Sequence, residues 1–184
     1  MERRELLRAM GAAAAFSLLP RTVEAAWATV AASPRASLRA MTARQNALVG
    51  AIADMIIPRT DTPGATDVGI QAFVDVIVAE YYADDERAAF VAGLDAMDAQ
   101  AKTTAGAPFA DLPEPARATM IEALERASDR RTEPARTYWR LKGLVIHGYF
   151  TSERVMKDVL KVEVMPGRFD GAAPIPVKRG SPHE

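Results

Sequence analysis

Cysteine is absent from this chain of 184 residues, and histidine occurs only twice. Without cysteine the chain can form no disulfide, no thiolate nucleophile, no cysteine-ligated cluster and no haem linkage through a C-x-x-C-H motif. An excess of positive charge is also lacking: the formal net charge is −1. Because nucleic-acid binding needs a basic face, we predict no nucleic-acid partner. The 49% of hydrophobic and 26% of charged residues are typical of one ordinary globular domain.

Recognisable catalytic motifs are missing as well. The sequence contains no G-x-G-x-x-G, no phosphate-binding G-x-x-x-x-G-K-[ST] and no E-x-x-H pair of a helical di-iron site. His183 is the penultimate residue, and His147 lies between apolar residues in GLVIHGYF, where a lone histidine is more often structural than catalytic. We therefore predict no catalytic residue and no cofactor on this chain. An independent enzyme that uses His147 with a nearby carboxylate is kept as an alternative.

The segment Ile56–Ile70, IIPRTDTPGATDVGI, interrupts the apolar pattern with two aspartates, Asp61 and Asp67. Carboxylate and hydroxyl oxygens suit a hard cation, but the spacing does not match a D-x-[DN]-x-[DN]-G calcium loop and no bidentate Glu follows. We predict no metal site here. The segment is interpreted as a turn between two helices, with Asp67 as the N-cap of the second.

The N-terminus, MERRELLRAMGAAAAFSLLP, combines a basic start with a short Ala-rich apolar run. This pattern is typical of an export signal and is too short for a permanent membrane span. The pair Arg3-Arg4 resembles the twin-arginine motif, with Glu2 where Ser or Thr is more usual. We predict a cleaved signal over residues 1–28, with cleavage after Ala25 or Ala28, and a periplasmic location. The alternative is an amphipathic helix with two chance arginines.

The remaining chain predicts an all-α fold: a compact bundle of about five to six helices, with an extended Pro/Gly-rich C-terminal arm. Residues 29–41 are predicted as a flexible lead-in, 42–162 as the helical domain and 163–184 as the arm. Thr42 to Gln45 has the T-x-x-Q form of a capping box, and apolar residues recur at helical spacing after it. The next helices are expected to start near Ile70, near Asp84 or Asp85, and at Pro113. A loop is expected over residues 103–112, and Thr151 or Ser152 is expected to cap a short last helix.

Four segments resemble one family, the small subunit (subunit 3) of gluconate 2-dehydrogenase-type sugar dehydrogenases. They are ALVGAIADMIIPRTDTPGATDVGIQAFVD (Ala47–Asp75), PFADLPEPAR (Pro108–Arg117), GYFTSE (Gly148–Glu153) and PGRFDG (Pro166–Gly171). The resemblance implies a non-catalytic subunit that binds a large flavoprotein of the glucose–methanol–choline type and escorts it through twin-arginine export. FAD would be on the flavoprotein and haem c on a cytochrome c subunit. The complex would meet the membrane only through partners and would oxidise gluconate, glucose or the C3 hydroxyl of glycosides.

The chain departs from the expected family pattern in its tail, which reads DGAAPIP (Asp170–Pro176) where many relatives are expected to have a Cys after the Gly. No redox or ligand role is therefore assigned to that position. We predict instead that the resembling loops form or support a surface for the flavoprotein. Its anchors are predicted from the weight of aromatic and Arg residues at interfaces. They are Arg59, Asp61, Tyr149, Phe150, Arg168 and Phe169. The alternatives are loops that only cap helices and pin the tail, or a free-standing periplasmic helical binding or scaffold protein.

Overall fold

The computed structural model describes residues 23–32, 38–127 and 129–162. Within these ranges the secondary structure is helical and no strand occurs, so the predicted all-α fold is confirmed. The α-helices are α1 (Val23–Ala32), α2 (Ala43–Ile56), α3 (Ile70–Glu80), α4 (Asp84–Ala105), α5 (Glu114–Arg126) and α6 (Ala135–Thr151). Two 3₁₀ turns, Thr66–Val68 and Phe109–Asp111, and a π-helical turn, Val155–Val159, lie between or after them. The predicted arm, residues 163–184, lies outside the described residues.

Helix α2 starts at the predicted capping box. The Thr42 hydroxyl accepts a hydrogen bond from the Gln45 amide at 3.3 Å, and the Gln45 side chain accepts one from the Thr42 amide at 2.8 Å. These reciprocal bonds satisfy two backbone donors that the first helical turn leaves free. The helix ends at Ile56, two residues before Pro58, because a proline disfavours helical geometry in the residue before it.

Helix α3 lies in the middle of the hydrophobic core. Its inward side chains, Ile70, Phe73, Val74 and Val78, have no exposed surface. Helices α1, α2, α4 and α6 all contact it. Burying such side chains stabilises the fold by about 1.5–3 kcal/mol each. The neighbouring helices must pack against α3 to bury them, and the position of α3 therefore determines where those helices lie.

Gly148 is the point at which α6 crosses α3. A Cβ atom built on Gly148 would lie 2.5 Å from Ile70 Cδ1 and 2.6 Å from Phe73 Cδ1. Carbon atoms do not approach so closely without displacement, and both neighbours are fully buried in a close-packed interior. The absence of a side chain at this position therefore lets the two helices pack closely.

Gly93 of α4 has the same function, because a Cβ there would lie 2.7 Å from Thr137 Cβ on α6. A Cβ on Gly50 of α2 would meet only the flexible end of the Gln71 side chain, which can move aside. The Gly93 neighbour belongs to a side chain that is only 1% exposed. Close helix packing in this bundle thus depends on glycines that the sequence pattern alone did not single out.

Two predicted details of the loops need correction. Asp67 is not the N-cap of α3, because Gly69, with φ of 78°, occupies that position and Asp67 lies inside a 3₁₀ turn. The loop predicted from residue 103 begins later, because α4 continues to Ala105 and ends at Gly106, with φ of 79°. Positive φ favours glycine at both boundaries, which explains why α3 begins after Gly69 and α4 ends before Gly106.

Phe109 and Leu112, within the range predicted as a loop, are buried, with 1% and 5% of their surface exposed. Other predicted helix boundaries are confirmed. Helix α4 starts at Asp84, and Pro113 precedes α5. The Ser152 hydroxyl accepts a hydrogen bond from the Val155 amide at 3.4 Å, which caps the last helical turn as expected.

The segment predicted as a flexible lead-in, residues 29–41, is structured where it is described. Residues 29–32 belong to α1. The buried Asp75 carboxylate then accepts hydrogen bonds from the amides of Arg39, Ala40 and Met41 at 2.7, 3.0 and 2.9 Å. A buried carboxylate needs such donors, and the sequence gives no sign of them because they lie 34 to 36 residues away.

The Gly148 crossing leads to a stability prediction with a control in the same helix. We expect Gly148→Ala to lower the free energy of unfolding by about 1–2 kcal/mol, since overpacking outweighs the gain in helix propensity. A Cβ on Gly143, also in α6, would meet no atom within 4 Å. Gly143→Ala should therefore raise stability by about 0.5–1 kcal/mol. Urea unfolding measures both, and equal effects from the two variants would contradict the close crossing.

Candidate partner-binding site

The loop between α2 and α3, residues 57–69, is closed by its own backbone. The Ala65 amide donates to the Ile57 carbonyl at 3.0 Å, and the Thr60 amide donates to the Thr62 carbonyl at 3.1 Å. Gly64 lies so close to the start of the loop that a Cβ there would be 3.0 Å from the Arg59 nitrogen. The loop is thus a compact structure of fixed shape.

Asp67 holds this loop together by an ion pair. Arg59 Nε donates to Asp67 Oδ2 at 2.6 Å, Arg59 Nη2 binds Asp67 Oδ1, and the Gly64 amide donates to Asp67 Oδ2 at 2.9 Å. The hydrogen bond from Arg59, followed by that from Gly64, lowers the pKa of Asp67 below its ordinary value. The same pair raises the pKa of Arg59. Both carboxylate oxygens are used by protein donors, so Asp67 is a structural residue of the loop.

Asp61 has a different environment. It is exposed, and its carboxylate accepts a hydrogen bond from the neighbouring Thr60 hydroxyl at 2.9 Å. Among the described residues, no group of three or more His, Cys, Asp or Glu side chains is placed to hold a metal ion. Asp61 therefore adds negative charge to the loop surface and has no cluster of ligands around it in that part of the chain.

The end of α6 is joined directly to the loop. The Tyr149 hydroxyl donates to the Pro63 carbonyl at 2.7 Å, and Arg154 Nη1 donates to the Asp67 carbonyl at 3.2 Å. The segments IIPRTDTPGATDVGI and GYFTSE, which carry the resemblance, are therefore in contact although they are about eighty residues apart. Tyr149 is only 4% exposed, so its ring belongs to the interior and its hydroxyl positions the loop.

Phe150, the next residue, faces outward. It is 47% exposed and, with Ile146 at 39%, forms one side of an apolar groove of about 310 Å³. The groove lies between the end of α2, α5 and α6. It is lined by Met55, Ile56, Ile57, Ile121, Glu125, Tyr138, Lys142, Ile146 and Phe150. Because Ile57 lines the groove and also begins the loop, the loop starts at the edge of the groove.

The polar wall of the groove is an ordered network. The Tyr138 hydroxyl donates to Glu125 Oε1 at 2.7 Å, and Lys142 pairs with the same oxygen. The bonds from Lys142 and then Tyr138 lower the pKa of Glu125, while burial and the Glu125 bond raise the pKa of Tyr138. Glu125 therefore stays ionised and Tyr138 neutral at neutral pH, and the network leaves a charged edge beside an apolar floor.

His147, the residue of the enzyme alternative, is exposed on α6. None of the ion pairs in the described part of the chain includes it. A general base is usually oriented by a third group, most often a carboxylate. The geometry around His147 offers no such dyad within those ranges.

The structure separates the predicted anchors into three groups. Arg59, Asp61 and Phe150 are on the surface, and the Arg59 side chain is 70% exposed. Tyr149 is interior, so we assign it to positioning the loop. The remaining predicted residues, Arg168 and Phe169 of the arm and the signal pair Arg3 and Arg4, lie outside the described residues.

Sequence reasoning missed Ile146 as a surface residue. The core stripe of α6 consists of Tyr138, Leu141 and Val145, which are completely buried. Ile146 and Phe150 are four residues apart and lie beside this stripe, so helical spacing would place them on one outward ridge. This four-residue spacing is the feature of the sequence from which the outward position of Ile146 could have been predicted.

Comparison with known proteins gave one family match. The model described as Gluconate 2-dehydrogenase subunit 3 matches residues 43–167, about two thirds of the chain. The matched range includes the loop, the groove and the contact between them. No curated protein and no solved structure matched. In the parts of the chain that are described, no helix has both the length and the apolar character to cross a bilayer.

The Tyr149–Pro63 hydrogen bond leads to a second prediction. Tyr149→Phe should lower the free energy of unfolding by about 1 kcal/mol, because the Pro63 carbonyl loses its donor. Tyr81→Phe is the matched control, since the buried Tyr81 hydroxyl has no hydrogen-bond partner among the described residues. Removing that hydroxyl should leave stability unchanged or raise it slightly. Urea midpoints compare the two, and an equal loss in both would show that the loop contact contributes nothing.

Proposed function

The chain belongs to the gluconate 2-dehydrogenase subunit 3 family, and from this premise we propose that it is the non-catalytic small subunit of an FAD-dependent sugar dehydrogenase complex. Its partner is a large flavoprotein of the glucose–methanol–choline type, which carries FAD and oxidises a sugar, gluconate or a glycoside. A cytochrome c subunit with haem c receives the electrons. The family match is the observation that carries this proposal.

The docking face for the flavoprotein consists of the groove and the adjoining loop. It presents an exposed aromatic residue, Phe150, an exposed aliphatic residue, Ile146, and a charged rim that includes Arg59 and Asp61. Protein interfaces generally have an apolar centre, in which aromatic and Arg residues dominate the binding energy, and a polar rim. The loop behind this face is held by the Asp67 and Tyr149 contacts, so little ordering entropy is lost on binding.

The proposed export role follows from the N-terminal signal. Twin-arginine export carries folded proteins, so a flavoprotein that binds this subunit in the cytoplasm can cross with it. The complex then works in the periplasm and reaches the membrane through its partners. The subunit supplies the signal and the binding surface, while the flavoprotein supplies the chemistry.

Copurification tests the docking face. Phe150→Ala, alone or with Arg59→Ala, should reduce the amount of flavoprotein retained by the tagged subunit by about tenfold, since both would be central interface residues. Leu160→Ala is the control, because Leu160 is exposed to a similar extent, 44%, and does not line the groove. The melting temperature of the free subunit should stay the same for Phe150→Ala and Leu160→Ala, whereas Arg59→Ala also removes the ion pair with Asp67 and should lower it slightly.

Three results would contradict this assignment. Full retention of the flavoprotein by the Phe150 and Arg59 variants would remove the docking face. Oxidation of sugars by the purified chain alone, with an artificial electron acceptor, would show that it is an enzyme in its own right. Failure of the wild-type subunit to retain any flavoprotein would favour the free-standing binding or scaffold protein.

Export gives a separate prediction. Replacing Arg3 and Arg4 by Lys keeps the positive charge but removes the twin-arginine pair, so both this chain and the flavoprotein should stay in the cytoplasm. Arg8→Lys, in the same segment but outside the pair, is the control and should export normally. Immunoblots of periplasmic and cytoplasmic fractions measure both proteins. Normal arrival of the flavoprotein in the periplasm would remove the escort role.

A further inference from the structure

Helix α1 contains both peptide bonds at which the export signal was predicted to be cleaved. The bonds Ala25–Ala26 and Ala28–Thr29 lie within Val23–Ala32. The carbonyl of Ala25, which belongs to the first bond, also accepts a hydrogen bond from the Thr29 hydroxyl at 3.0 Å. A protease needs such a segment to open before its backbone can be cleaved.

The same helix is packed into the core. The Trp27 ring stacks on the fully buried Phe73 ring, with centroids 4.8 Å apart and an angle of 22° between the planes. Trp27 Nε1 donates to Thr151 Oγ1 at 3.3 Å, and Ala26 has no exposed surface. Opening the helix therefore requires withdrawal of Trp27 from α3 and α6, and not only fraying of a free end.

Each cleavage would also damage the domain that remains. Cleavage after Ala25 would create a charged α-amino group on Ala26, which is completely buried, and burying an unpaired charge is strongly unfavourable. Cleavage after Ala28 would remove Trp27 and uncover the face of Phe73. Neither product keeps the packing of the intact helix.

We infer that α1 is a permanent part of the folded domain, that it withholds both bonds from processing, and that any processing falls before Val23. This inference rests on the export signal of the proposed function. It proposes an earlier end for the signal than the predicted residue 28 and assigns Trp27 as the residue that holds the helix in place.

Digestion of the purified full-length chain with purified signal peptidase tests the inference without depending on export. A synthetic peptide of residues 18–36 provides the rate for the same bonds without the fold. Signal peptidase recognises the residues one and three positions before the bond that it cleaves. Trp27→Ala changes none of these residues for either bond. We expect the wild-type chain to be resistant and Trp27→Ala to be cleaved at least about tenfold faster.

Two further variants separate packing from sequence. Phe73→Leu leaves α1 itself unchanged but removes the ring on which Trp27 stacks, so cleavage should accelerate here too. Ala31→Ser, at an exposed position of α1, should remain as resistant as the wild type. Equal rates for the wild-type chain and Trp27→Ala would overturn the inference. An exported protein whose mass shows Ala26 or Thr29 as its first residue would also overturn the inference. A failure of export is a separate outcome that concerns the proposed function, and the Arg3 and Arg4 variants detect it.

Discussion

The close crossing of α6 over α3 at Gly148 fixes most of what surrounds it. Because Gly148 has no side chain, α6 lies against Ile70 and Phe73, and the residues that follow it are held at defined orientations. Successive helical residues are rotated by about 100°, so Tyr149 reaches the Pro63 carbonyl while Phe150 faces the groove. Three consecutive residues thus connect the core, the loop and the surface. A displacement of α6 would move the loop support and the docking face together.

The helices could be predicted because their signals are local. The capping box of Thr42 and Gln45 and the stripe of α3 depend on residues within a few turns of one another. The role of Asp67 could not be predicted, since an aspartate before a helix can cap it or pair with a nearby Arg, and both options were open in the sequence. Gly69 supplied the conformation needed at the helix start, which left Asp67 to bind Arg59. The bonds from Asp75 to residues 39–41 depend on distant neighbours and left no local pattern.

The candidate site was predictable in place but not in the roles of its residues. The sequence marked the loop and GYFTSE as related features, and the structure brings them into contact through Tyr149. Adjacent aromatic residues such as Tyr149 and Phe150 cannot both face the core of one helix, yet the sequence does not say which one turns inward. Which of them does so depends on the position of Gly148, whose importance becomes visible only when the facing helix is known.

In the proposed function, the order of events in export would constrain where the flavoprotein can bind. An escorted partner must bind while the signal is still attached, and at that stage α1 covers Phe73 with the Trp27 ring. The face beneath α1 is therefore closed to the partner. The groove between α2, α5 and α6 contains no residue of α1 and remains open with the helix in place. The groove part of the proposed docking face is thus consistent with a retained α1, whereas the loop reaches α1 through Asp67 and Val68, which line a pocket with Trp27.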